Sequence, residues 1–191
     1  MWLTAWLAVL VGALMALPVI LIAPAETVSA DVIVHQYMDA GSDADAYVAQ
    51  LYHQSVARKI VCVSSQVGCD VYPADYVARH LVTLGVREED VITLRLSGAT
   101  CWAESLPEII EYLRDQRWSR VLLVMDPIGS RFDGWIARRH FDRAGLQLAI
   151  TYSPGDRQAS VQGWWRTHAK AQRMIGNAVR VALDLVYPQC R

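Results

Sequence analysis

The amino-acid sequence predicts an α/β domain: a doubly wound, mostly parallel sheet of five strands with helices on both faces, preceded by one transmembrane helix. Three observations carry this reading. Five short apolar runs recur between residues 31 and 151, and each is followed by a stretch with helical apolar spacing. Gly and Pro punctuate many of the joints between them, as at Pro73, Gly85, Pro127 and Gly145. The opening, Met1 to Ala25, carries no charge at all; the first acid is Glu26 and the first Lys or Arg is Arg58.

The opening is mostly Leu, Ala, Val and Ile, with Trp2 and Trp6 near its start. Such a stretch is long enough to cross a hydrocarbon layer about 30 Å thick. A cleavable signal would have a basic start and a shorter apolar run. The triplets Ala23-Pro24-Ala25 and Val28-Ser29-Ala30 suit cleavage, but no cation precedes the run. The balance favours an anchor, and Pro18 is tolerated in membrane helices. The chain therefore divides into an anchor or signal segment (1–25), a short linker (26–30) and one domain (31–191). Charge flanking the segment does not set its orientation. Four cysteines (Cys62, Cys69, Cys101 and Cys190) with no C-x-x-C spacing suit an oxidising compartment, which places the domain on the extracytoplasmic side of a single-pass membrane protein.

Within the domain, Asp31 to His35 is a short buried strand. Ser42 and Asp45 stand at capping-box spacing before a helix whose apolar positions are Tyr47, Val48, Leu51 and Tyr52. Lys59 to Ser64 is the second strand. Pro73 to Leu84 is the second helix, with Pro in its first turn and Gly85 past its end. Val91 to Leu94 is a shorter third strand, and Leu106, Ile109, Ile110 and Leu113 mark a helix face. Arg120 to Met125 is apolar throughout after its first residue, as expected of a strand covered on both faces. Ser130 and Asp133 repeat the capping spacing before a helix through Arg143, and Gly145 to Thr151 is the fifth strand. One long final helix would then place Val161, Trp164, Trp165, His168, Ala171, Ile175, Val179, Ala182 and Leu185/Val186 on one face.

Charge is unevenly distributed along the chain. Residues 31–126 hold 14 acids and 8 Lys or Arg, whereas 131–191 hold 10 Lys or Arg and 4 acids. The cationic part suits an anionic small molecule, while the absence of a dense basic run or recognition motif argues against nucleic acid. There is no metal-ligand spacing, no G-x-S-x-G elbow, no Walker loop and no G-x-G-x-x-G, so no metal is expected and no cofactor is assigned.

In doubly wound sheets ligands bind beyond the carboxyl ends of the strands. Four loops fall there: 35–45, 64–72, 97–104 and 126–131. Arg131, at a helix start, can hold a phosphate or carboxylate through two parallel hydrogen bonds, with Ser97 and Thr100 as further contacts or as helix caps. Asp126 follows the strongest strand and forms, with Glu104, the candidate acid/base pair. His35 is more simply a satisfied structural histidine, and His53, His80, His140 and His168 belong to helices. Cys69 and Cys101 fall in the loops after the second and third strands, at one edge of the sheet; if those strands are neighbours, a disulfide is feasible with Cα atoms within about 7 Å.

Several pieces recur in a known order. Leu84-Gly85-Val86, then Val91-Ile92, then Ser97-Gly98-Ala99-Thr100 is followed by Trp118 to Pro127 with Arg131, by Gly145-Leu146, and by Trp164-Trp165. Over residues 31–186 this resembles the YdcF-like family (domain of unknown function 218), which includes the SanA and ElyC envelope proteins. The resemblance implies a Rossmann-like domain acting in the cell envelope on a phosphate-bearing ligand, with Ser97, Thr100 and Arg131 as the retained polar positions. Some members are described as binding S-adenosylmethionine. The chain departs from the family pattern at His35-Gln36-Tyr37 and Ser64-Ser65-Gln66, where members carry glycines. It departs again at Pro73, at Gly129 and at Trp102-Ala103, where members carry Glu, His and Glu-Asn. These departures favour ligand binding, or a structural or interaction module, over an active hydrolase or transferase.

Overall fold

The computed structural model describes residues 2–36, 43–68, 70–98 and 101–186. The order of elements is α1 (Trp2–Leu21), β1 (Val32–Gln36), α2 (Ala44–His53), β2 (Ile60–Ser65), α3 (Pro73–Thr83), β3 (Val91–Leu96), α4 (Trp102–Asp115), β4 (Arg120–Val124), α5 (Phe132–Ala144), β5 (Gln147–Thr151), α6 (Pro154–Val161) and α7 (His168–Val186). The five strands form one sheet in the order β3-β2-β1-β4-β5, with every pairing parallel. The chain winds outward from β1 to β3, then returns through α4 to β4 on the other side of β1. The order therefore reverses between β1 and β4.

Both faces of the sheet are covered, which is why the central strands are unbroken apolar runs. Val32 and Val34 point into a core shared with Leu106, Leu113 and Phe141 of α4 and α5. Ile33 points into the opposite core, with Leu51 of α2 and Leu81 of α3. The predicted Rossmann-like α/β architecture of five strands with helices on both faces is present.

Three local expectations differ. Ser130 does not cap α5: its hydroxyl donates to the Pro127 carbonyl (2.6 Å) and accepts from the Ala23 amide (2.9 Å), while Asp133 pairs with Arg180 (2.8 Å). Ser42 lies outside the described residues, and α2 begins after Asp43 without a side-chain cap. The single final helix is instead two helices and a short turn, Trp164–Arg166, broken at Gly163 with φ +78°. A left-handed residue cannot continue a right-handed helix, and glycine adopts that conformation without penalty.

The break shifts the phase of α7. Met174 is fully buried with Leu21, Ile128 and Trp164, and Ala171, Ala178 and Val181 pack beside it. Ile175 and Val179, expected inside, are about half exposed.

The apolar opening forms α1, whose Leu14, Leu17 and Leu21 pack into this same cluster. Side chains of α1 are described for Trp6 and for 11–21. Among the described residues, no helix is long and apolar enough to cross a membrane. The linker is fastened along the domain. The Glu26 amide donates to the Ile150 carbonyl (2.8 Å), and its carboxylate takes Arg138 (2.7 Å) and the Ile150 amide (3.3 Å). Asp31 accepts the Ser119 and Arg120 amides and the Arg120 guanidinium (3.0, 2.9 and 2.8 Å).

Candidate functional site

A cavity of about 300 Å³ opens at the carboxyl ends of β1, β2 and β3, against the start of α4. Its polar lining is Gln36, Ser64, Ser65, Cys101, Trp102 and Ser105, and Val63 and Leu96 are among its apolar walls. The sequence builds it in a simple way. β2 ends in two serines, and the Ser64 hydroxyl turns back to accept the Ala74 amide of α3 (2.9 Å). That bond caps α3, which begins with Pro73 and has no cap of its own from Tyr72. Helix α4 begins at Trp102 with no side-chain cap from Cys101, and the Glu104 amide of its first turn donates to the Cys101 carbonyl (3.2 Å). The Ser105 hydroxyl donates to the Trp102 carbonyl (2.6 Å). The Trp102 Nε1 is buried without a hydrogen-bond partner among the described residues. The cavity thus offers several donors and no charged side chain, which suits a ligand rich in acceptor oxygens.

A second polar group lies under α2. The Asp45 carboxylate bridges two histidines, with His35 Nε2 at 2.8 Å and His80 Nδ1 at 2.7 Å. His35 is buried and His80 is exposed. Burial alone would raise the Asp45 carboxyl, but the hydrogen bonds from the two histidines hold it below its ordinary range. Cys62 is the register partner of His35 on β2. Burial, with Asp45 nearby, pushes its thiol far up, so it stays a neutral core group. His35 is therefore held by a specific acid that spacing alone did not identify. The partner was missed because it comes from α2, ten residues on, and because His80 arrives from α3.

A third group stands where the strand order reverses. Asp126 accepts the Ile128 amide (2.8 Å) and pairs with Arg173 of α7 (3.0 Å). Asp156 accepts the Asp43 amide (3.3 Å), and a Cβ at Gly155 would collide with the Asp43 carboxylate. Burial raises the Asp126 carboxyl, and Asp156 and Asp133 raise it further, while the hydrogen bond from the Ile128 amide pulls the other way. Burial likewise raises Asp156, against the lowering hydrogen bond from the Asp43 amide. The space left beside these groups is only about 70 Å³.

The residues expected to form the site do not gather in one place. The loop after β3 and the loop after β4 are separated by β2 and β1, three strand spacings or about 14 Å. Ser97 lies on the first loop, with its amide and hydroxyl both held by Glu108 of α4 (3.0 Å each). Arg131 lies on the second, and its guanidinium donates to the carbonyls of Val19 (3.1 Å) and Ile22 (2.9 Å). Its amide donates to Leu21 (3.1 Å), so Arg131 caps the carboxyl end of α1 instead of facing Ser97. Thr100 lies outside the described residues.

The same separation divides Asp126 from Glu104, which sits in the first turn of α4. Among the described residues Cys62 and Cys101 are free; Cys69, the other half of the expected bridge, and Cys190 lie outside the described residues. Among the described residues no group of three or more His, Cys, Asp or Glu is arranged to hold a metal ion.

No family model matches the chain, and no curated protein matches it. Among solved structures, it is similar to a universal stress protein crystallised in complex with cAMP. Identity is 15%, the TM-score is 0.42, and the match covers 64% of this chain and 97% of that one. A likeness of this degree does not bear on ligand or mechanism.

Proposed function

We propose that this chain is a membrane-held, YdcF-like α/β domain that binds a small anionic, phosphate-bearing ligand of cell-envelope metabolism, with its domain on the extracytoplasmic side. The observation that carries the binding reading is the cavity beside α4, lined in part by Trp102, whose Nε1 is buried with no hydrogen-bond partner among the described residues. Helix N-terminal amides and an indole N–H favour acceptor oxygens, and the volume is at the small end of ligand pockets. The proposed anion site thereby moves from Arg131 to the β1–β3 side. The membrane reading is supported by the uncharged sequence of α1. Catalysis by Asp126 is less favoured, because Arg173 already engages its carboxylate.

Calorimetric titration of the full chain in detergent with phosphorylated envelope intermediates and nucleotides tests this. Trp102→Phe keeps the ring but loses the N–H, and should weaken binding roughly tenfold, about 1.4 kcal/mol. Ser65→Leu should block the cavity. Binding that is indifferent to both substitutions would sink the assignment.

A further inference from the structure

Helix α7 is apolar on two faces: Met174, Ala171, Ala178 and Val181 pack on the domain, and a second apolar row faces outward. Two of its arginines tie it to the domain: Arg173 reaches Asp126 (3.0 Å), and Arg180 reaches Asp133 (2.8 Å) and lies over the Phe132 ring. Its outward face, from Ile175 through Val179 and Leu183 to Val186, is 45–67% exposed, with Gly176 and Ala182 between. Among the described side chains, no charged group interrupts that face. A surface helix normally buries one apolar stripe and presents polar and charged residues to water on the other side.

Two neighbours indicate what covers it. Helix α1 packs against α7 and continues the same surface, with Val11, Met15, Val19 and Ile20 exposed at 46–75%. On α5, which contacts α7 through Phe132, Trp135 is exposed with the Arg139 guanidinium 4.8 Å over its ring. An exposed Trp with an Arg beside an apolar face is the pattern of side chains at headgroup level. The surrounding part of the chain, residues 131–191, has an excess of six basic groups, 10 against 4. That sign complements anionic lipid.

We propose that α7 lies in the plane of an anionic membrane surface with Ile175, Val179, Leu183 and Val186 in the acyl region, while Arg173 and Arg180 hold it to the domain. This surface is separate from the ligand cavity and does not rest on ligand binding. The membrane would then support the domain along two helices instead of through a single tether, fixing the η-turn Pro127–Gly129 and Asp126 close to the headgroups.

The test uses the unmodified full chain in vesicles of phosphatidylcholine and phosphatidylglycerol, doped with a lipid bearing a diazirine at its acyl terminus. After photolysis, trypsin releases the peptides 174–180 and 181–191. Adducts on both peptides at a level comparable to α1, rising with the phosphatidylglycerol fraction, are expected. Adducts on α1 with none on α7 would overturn the proposal while leaving the anchor intact; adducts on neither would overturn both. As a second measurement, Val179→Cys should give no disulfide-linked dimer in the vesicles. A dimer formed there would assign the face to a second copy and overturn the proposal.

Discussion

Replacing Arg131 by Ala separates two accounts of the same residue. As an anion ligand, its loss would abolish ligand binding. In the structure it closes the carboxyl end of α1, where unpaired carbonyls and the negative end of the helix dipole accumulate. The bond to Ile22 is partly buried and that to Val19 is exposed. A hydrogen bond from a charged donor contributes about 1.5–3 kcal/mol when shielded and less when wet, and the dipole adds about 0.5 kcal/mol. The docking of α1 onto the domain should therefore weaken by about 3 kcal/mol, on the order of a hundredfold in the local opening equilibrium. Amide hydrogen exchange of residues 14–22 in detergent reads this directly. Arg131→Lys, which keeps one charged donor, should recover about half of the loss in free energy. Unchanged exchange in Arg131→Ala, together with lost ligand binding, would refute the capping account.

Three further outcomes follow from the packing and the charges. Met174→Ala should destabilise α7 against the domain by about 2–5 kcal/mol, seen as a lower Tm, because the side chain is fully buried between α1, Trp164 and Ile128. Asp45→Ala should cost about 1–3 kcal/mol in urea denaturation by stranding the buried His35 Nε2, and should shift the His80 ring resonances. At acid pH, two carboxyls matter. The Asp31 carboxyl falls to about 2 despite its burial, through Arg120 and Ser119, and the Asp90 carboxyl falls to about 2 through Lys59, Tyr52 and Arg87. Both are depressed from 3.8, so their contribution is complete above about pH 4 and is lost as pH falls through about 2. Urea midpoints measured from pH 6 to pH 2 should decline over that window, and Asp90→Asn should flatten the decline.

The sheet was legible because strands buried on both faces must be apolar along their covered length, as β2 is from Ile60 to Val63 and β4 from Val121 to Val124. The edge strand β3 looked shorter because its exposed Arg95 interrupts the run. The final helix misled for a definite reason: the period was counted through Gly163, whose left-handed φ resets the phase, so the assigned face came out rotated. Membrane-like amphipathicity compounded the error, since an apolar stripe was taken to be a buried one. The site was less legible still. Ser97, Asp126 and Arg131 all belong to loops at the carboxyl end of the sheet, but only the strand order shows that two strands stand between Ser97 and the other two. Trp102 stands where the resemblance expected an acid, and its spacing alone does not mark a side chain that lines a cavity.

The Glu26 contact with β5 bears on how the chain is matured. β5 is an outer strand of the sheet, and its Ile150 amide and carbonyl would otherwise be open to pairing with another polypeptide. A peptidase acting after Ala25 would leave this seal in place, with Glu26 as the new first residue. One acting after Ala30 would strip it away and hand the cell a domain with an unguarded margin. Of the two processing points the sequence offers, only the earlier one yields a product protected from strand-to-strand association.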